Sequence, residues 1–168
     1  MKDVLGPTID LGCGAGQVLA RLPIGSIGLE VNPHLVESLA AKGMNVHVYD
    51  ALADDFSLGC LPTGKYQSLL ASHVLEHFDD AASVIGKLWS AAARLGVERI
   101  VMVVPATRGY LADSTHRTFI SLDYIRSHGL QNLQGFVLIK ATHFPVDVAW
   151  AGRFFRYQEL KCVYQRRS

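Results

Sequence analysis

Short apolar runs alternate with segments of helical period along the first hundred residues. Pro7 to Leu11 is the first run, Ser26 to Val31 the second, Asn45 to Tyr49 the third and Tyr66 to Ala71 the fourth. The fifth, Arg99 to Val104, is almost wholly apolar, as a strand covered on both faces should be. Between the second and third runs, Asn32 reads as an N-cap, Pro33 as the first helical residue and Gly43 as the stop. Between the fourth and fifth, Asp79 to Gly96 places Ala82, Ile85, Leu88, Trp89, Ala92 and Leu95 on one helical face. Gln17 to Leu22 has the composition to start a helix after the first run. A loop through Gly109 leads to a short helix, Ser121 to His128, and two long β-type runs close the chain, Gly135 to Phe144 and Phe155 to Gln165. Strands alternating with helices predict an α/β, doubly wound, mostly parallel sheet. The closing pair, with its short connection, predicts a C-terminal antiparallel hairpin.

The turn after the first strand carries the chemistry. Thr8-Ile9-Asp10-Leu11-Gly12-Cys13-Gly14-Ala15-Gly16 sets three glycines at alternate positions behind an acidic residue. Glycines at this density let the backbone turn tightly and let a ligand approach bare peptide groups. Glu30 closes the second run, where a carboxylate is placed to hold both hydroxyls of a ribose. A dinucleotide fingerprint needs its third glycine where Gln17 stands, and Gly16 comes one residue early.

The pattern D-x-G-x-G-x-G from Asp10 to Gly16 resembles the first motif of the class I, Rossmann-like methyltransferases that use S-adenosylmethionine. Gly28-Leu29-Glu30-Val31-Asn32-Pro33 resembles their second strand end, and Val48-Tyr49-Asp50-Ala51 their third. Leu70 to Phe78, reading Leu-Ala-Ser-His-Val-Leu-Glu-His-Phe, resembles the fourth, typical of the small-molecule branch. The resemblance implies a seven-stranded sheet whose last strand inserts antiparallel. It implies a cofactor site made of Asp10, Gly12, Gly14, Gly16, Glu30, Val31, Asp50, Ala51, Ser72 and His73. The glycine peptides would face the cofactor's carboxylate and Asp10 its ammonium. Glu30 would face the ribose, and Asp50 with the Ala51 peptide the adenine. The sulfonium already activates the methyl group, so the protein's main task is alignment of the acceptor. A hydroxyl acceptor also gains from a base, for which His73 and His116 are the candidates.

Composition narrows the rest. The chain of 168 residues fits one domain, and its net charge of +1 gives no field to gather nucleic acid. Cys13, Cys60 and Cys162 are odd in number and far apart, which reads as free thiols in the cytoplasm. No membrane-spanning run and no metal-ligand spacing stand out: Asp54-Asp55 and Asp79-Asp80 read as turn formers and N-caps. The basic tail of Arg153, Arg156, Lys161, Arg166 and Arg167 reads as a solvated strand face.

Strand one begins within ten residues of Met1, whereas most members of the resembled family carry cap helices first. The expectation is either a truncated form or an enzyme without this lid, whose open site would suit a saccharide-type or other large acceptor, or be covered by a homodimer mate or a partner subunit. The reading is methyl transfer from S-adenosylmethionine to oxygen or nitrogen of a small-molecule or saccharide-type acceptor. Its rival is a non-catalytic partner or regulatory domain on the same fold.

Overall fold

A computed structural model of the chain describes residues 2–155 and 157–167. Eight strands form one sheet in the order β3-β2-β1-β4-β5-β8-β7-β6. β1 (Thr8–Leu11), β2 (Ile27–Glu30), β3 (Val46–Val48), β4 (Ser68–Ser72) and β5 (Arg99–Pro105) run parallel. β8 (Glu159–Arg166) inserts antiparallel between β5 and β7 (Phe136–Phe144). The chain leaves β1 for β2 and β3 on one side, then returns to β4 on the other. That reversal opens a crevice beyond the carboxyl ends of β1 and β4, where ligands of such sheets bind.

The sheet is flanked by helices whose ends the sequence marks. α1 (Pro33–Ala41) is capped by Asn32, whose side-chain oxygen accepts from the N–H groups of His34 and Leu35. α2 (Ala81–Leu95) is capped by Asp80 and stopped by Gly96, which adopts φ +81° as a left-handed C-cap requires. Its inner face buries Ile85, Leu88, Trp89, Ala92 and Leu95 completely. Each of the large side chains there contributes roughly 1.5–3 kcal/mol of burial. Trp89 also meets Tyr164 of β8 edge-to-face, with ring centroids 5.3 Å apart. Ser121 caps α4 (Leu122–Ser127) as expected. No helix among the described residues is long and apolar enough to cross a membrane.

Four features differ from the sequence reading. The sheet has eight strands rather than seven, because β6 (Asn132–Leu133) pairs with the start of β7. Gln134 and Gly135, at φ +52° and +81°, make the tight turn between them. The helix expected from Gln17 is only a 3-10 turn, Leu19–Arg21. Pro23 forces Leu22 into an extended conformation (ψ 159°) and ends the helical backbone there. α3 (Thr107–Leu111) forms where a loop was expected, despite Gly109. The connection between β7 and β8 is also longer than the hairpin reading allowed. Residues 145–158 include a 3-10 turn, Ala149–Arg153, anchored by buried Gln158, whose amide donates to the carbonyls of Val146 and Val148 at 2.8 Å each. Arg156, at the start of the expected last strand, lies outside the described residues.

Candidate active site

Carboxylates are costly to bury, and among the described residues only Asp10, Glu30 and Glu76 are buried. All three lie at the carboxyl rim of the parallel strands: near the end of β1, at the end of β2 and just after β4. Three cavities surround them.

The first cavity, of about 250 Å³, is lined by Asp10, Gly12, Cys13, Ala15, Gln17, Val18 and Ser72. Oδ2 of Asp10 is buried with no hydrogen-bond partner among the described residues. Burial pushes this carboxyl up to about 7. Beside it the Cys13 thiol is pushed up to about 12, by burial first and then by the Asp10 and Glu30 charges, so it is no nucleophile. The N–H groups of Gln17 and Val18 carry no hydrogen bond among the described residues.

The second cavity, of about 390 Å³, lies on the other side of Gly12 and is bordered by Glu30, Val31, Asp50, Ala51, His73 and Val74. Glu30 does more than face it. Its Oε2 accepts the Gly14 N–H at 2.8 Å and its Oε1 the Asn32 N–H at 3.0 Å, so the carboxylate clamps the glycine turn to the start of α1. Each oxygen keeps a lone pair for a ligand hydroxyl. Oδ1 of Asp50 accepts from Leu52 and Ala53, while the Ala51 N–H has no partner among the described residues.

The glycines divide by role. All three have positive φ (+68°, +52° and +74° at Gly12, Gly14 and Gly16), so the turn itself needs them. Only Gly12 borders the cavities, and a Cβ there would lie 2.6 Å from Val74 Cγ2. A Cβ on Gly16 would meet Leu39 and Met44 instead, on the side of α1. The N–H groups expected to face a ligand carboxylate are engaged inside the protein. Gly12 donates to the Leu29 carbonyl, Gly14 to Glu30 and Gly16 to the Cys13 carbonyl. Cys13, Ala15, Gln17 and Val18, which the sequence reading passed over, supply the wall in their place.

The third cavity, of about 290 Å³, is lined by His73, His77, Asp113, His116, Tyr157 and Glu159 among others. His73 borders both this cavity and the second. Its backbone turns at φ +55°, an uncommon conformation for a non-glycine residue, which aims the ring across the strand ends. Nε2 lies 2.8 Å from Glu159 Oε1, and Nδ1 lies 3.3 Å from Glu76 Oε1. Glu159 first and Glu76 second push the imidazole up to about 10, so His73 is protonated at neutral pH. The base role expected of it is therefore not open to it in this state. His116 differs: Nδ1 lies 2.8 Å from the Tyr110 carbonyl, which only accepts, so Nδ1 carries a proton and the neutral tautomer has its lone pair on Nε2. The ring stacks on Tyr110, with centroids 5.5 Å apart and planes 16° apart.

The carboxylate pairs behave as turn formers. Asp54 accepts from the Tyr49 hydroxyl and the Gly59 N–H, Asp55 pairs with Lys87, and Asp80 caps α2. Of the basic tail, Lys161 is tied to Asp3 at 2.6 Å.

Residues 9–97, more than half of the chain, match the family model described as "Methyltransferase domain". No curated protein matches the chain. A SAM-dependent methyltransferase from Archaeoglobus fulgidus superposes with a TM-score of 0.70 at 18% identity, covering 98% of this chain and 87% of that one. An S-adenosylmethionine-dependent methyltransferase from Mesorhizobium loti gives 0.66 at 15% identity, over 99% and 94% of the two chains. Magnesium protoporphyrin IX methyltransferase from Synechocystis, solved with bound SAH, gives 0.66 at 15% identity, over 96% and 74%. At these identities the likeness is one of fold.

Proposed function

We propose that this chain, which belongs to the methyltransferase domain family and takes S-adenosylmethionine as its cofactor, transfers the methyl group to oxygen or nitrogen of a small-molecule or saccharide-type acceptor. The observation that carries this reading is the chaining of the cavities. Gly12 borders the first and second, and His73 borders the second and third. The bipartite crevice fits a ligand with an amino-acid end and a nucleoside end. Asp10, with its orphaned oxygen, lines the first cavity and Glu30 the second.

When bound, the cofactor supplies a methyl group already activated by its sulfonium. Asp10 accepts from the ammonium, and the free N–H groups of Gln17 and Val18 donate to the carboxylate. Glu30 accepts from the ribose hydroxyls while it keeps the glycine turn closed. Asp50 and the Ala51 N–H read the adenine edge. Val31 and Ser72 shape the walls of the two cavities. The acceptor lies in the third cavity, where alignment supplies most of the rate. His116 presents its Nε2 lone pair there and takes the acceptor's proton. His73, held as a cation between Glu76 and Glu159, positions the boundary between the two ligands. The three free thiols suit a reducing, cytoplasmic setting.

Calorimetry with S-adenosylmethionine and its demethylated product tests the crevice. Both should bind, and Glu30→Ala should weaken both. Labelled-methyl transfer to a panel of hydroxyl, amine, thiol and carbon acceptors tests the chemistry. Label confined to thiols or carbon would overturn the assignment to oxygen or nitrogen.

A further inference from the structure

Glu76 is an anomaly that the cofactor crevice does not explain. It is fully buried in the 3-10 turn Leu75–His77, and neither carboxylate oxygen has a hydrogen-bond partner among the described residues. Two imidazoles stand beside it without forming a hydrogen bond to it, one of them the His73 cation. His73 Nδ1 is 3.3 Å from Oε1 but off the line of a hydrogen bond, and His116 Nε2 is 3.9 Å from the same oxygen. A buried carboxylate is expensive unless something completes it.

The two imidazoles beside it are oriented alike. His116 Nδ1–H donates to the Tyr110 carbonyl at 2.8 Å. His77 Nδ1 lies 3.1 Å from Thr115 Oγ1, whose own proton is donated to Asp113 at 2.7 Å, so His77 must be the donor there. Both rings thus donate from Nδ1, so the neutral tautomer of each has its lone pair on Nε2. An outer hydrogen bond from one ring nitrogen, which fixes the tautomer of the other, is what metal-ligating histidines show. The two ring centroids are 4.9 Å apart. One donor atom from each of Glu76, His77 and His116 lies within 4.8 Å of the other two.

We propose that Glu76, His77 and His116 form a binding site for a divalent transition cation of the zinc type, open toward the third cavity. One carboxylate and two imidazoles suit zinc, cobalt or manganese, whereas magnesium favours oxygen ligands and water. The 3.9 Å from Glu76 Oε1 to His116 Nε2 is shorter than two metal–ligand bonds of about 2.1 Å laid end to end, so a bridging cation bonds to both. The buried oxygen gains the partner it lacks. Three protein ligands leave a coordination position for water or an acceptor oxygen. On the reading of the third cavity as the acceptor site, the cation takes over from His116 the task of making an acceptor hydroxyl acidic. The binding itself does not depend on that reading.

The full-length chain, stripped with chelator and titrated with Zn²⁺, Mn²⁺ and Mg²⁺ at pH 7.5, tests the site. One Zn²⁺ should bind per chain, at least a hundredfold tighter than Mg²⁺. Glu76→Gln, His77→Ala and His116→Ala should each weaken it at least tenfold, while His128→Ala, at the exposed C-cap of α4, should leave it unchanged. The cobalt form should show visible bands that shift in the same three variants. If buried Glu76→Gln unfolds by circular dichroism, His77→Ala decides the matter from the more exposed side. Unchanged zinc affinity in His77→Ala, equal loss in His128→Ala, or Mg²⁺ binding as tightly as Zn²⁺ would overturn the site. Cofactor calorimetry on the same samples keeps the two ideas apart. Zinc binding without cofactor binding refutes the proposed function alone, and the converse refutes the metal site alone.

Discussion

Asp10 couples cofactor affinity to pH. Its carboxyl is 2% exposed, with one oxygen unpartnered, and burial raises it from 3.8 to about 7. An ammonium needs the ionised form. Below pH 7 each unit of acidity therefore adds one unit of work to ionise Asp10, about 1.4 kcal/mol or tenfold in Kd. Asp10 is half ionised at pH 7, so from pH 7 to 5.5 affinity for S-adenosylmethionine should fall about fifteenfold. Above roughly pH 8 it should fall again as the ligand's own amino group loses its proton, since α-amino groups titrate at about 7.7–8.0. The sign for stability is the opposite. A folded pKa above the unfolded value favours folding at low pH, and that advantage is lost as pH rises through about 7. The shift of about three units corresponds to a cost of about 4 kcal/mol in the cofactor-free protein at pH 8. Asp10→Asn removes the charge and keeps the shape. It should raise the Tm of the cofactor-free protein at pH 8 by several degrees, weaken the cofactor at pH 7.5, and flatten the Kd profile between pH 5.5 and 7. Calorimetry across that range and thermal melts at pH 5 and 8 give both readouts. A flat wild-type profile, or an Asp10→Asn variant less stable than wild type at pH 8, would refute the reasoning.

The other expectations follow from the same rim. Glu30→Ala should cost the cofactor about 1.5–3 kcal/mol, the scale of charged hydrogen bonds, and calorimetry measures it. Because Glu30 also holds the Gly14 and Asn32 N–H groups, the variant should melt below wild type without ligand. Gly12→Ala puts a Cβ 2.6 Å from Val74 Cγ2 and should abolish cofactor binding, whereas Gly14→Ala meets nothing within 4 Å and should cost only about 1 kcal/mol of stability for its positive φ. Trp89→Ala, which empties the centre of the core, should lose about 3–5 kcal/mol in denaturant unfolding. His116→Ala should lower turnover by roughly 10²–10⁴-fold with cofactor Kd unchanged, and an equal loss in both would place His116 in the cofactor site instead.

Much of the fold was legible because local and tertiary preferences agree. Asn32-Pro33 and Gly96 mark helix ends by their own backbone chemistry, and the apolar run through β5 can only be a covered strand. The motif residues reach one rim because parallel strands all end on the same side. What the pattern could not show were outcomes settled by neighbours. Gln17 to Leu22 has helical composition, yet Pro23 ends it after one turn. Gln134 makes β6 possible by accepting positive φ, which its residue type does not advertise.

The same limit applies to charge. Asp10, Glu30 and Glu76 look alike in sequence, as acidic residues at strand ends, but the fold treats each differently. Glu30 is satisfied by two backbone donors, so it is as much a clamp as a ligand group. Asp10 is left with an open oxygen beside a cavity, which makes it an acceptor for something outside the chain. Glu76 belongs to the 3-10 turn Leu75–His77, which places it beside His73 and His116. There it helps hold the proton on His73, while its own oxygens have no hydrogen-bond partner among the described residues. A histidine after β4 was a natural choice of base on sequence grounds. Its partners, one of them 86 residues away in β8, convert it into a fixed cation. Of the two expected bases, His116 is the one whose neutral ring presents Nε2 as an acceptor, because a single backbone carbonyl, that of Tyr110, takes the Nδ1 proton.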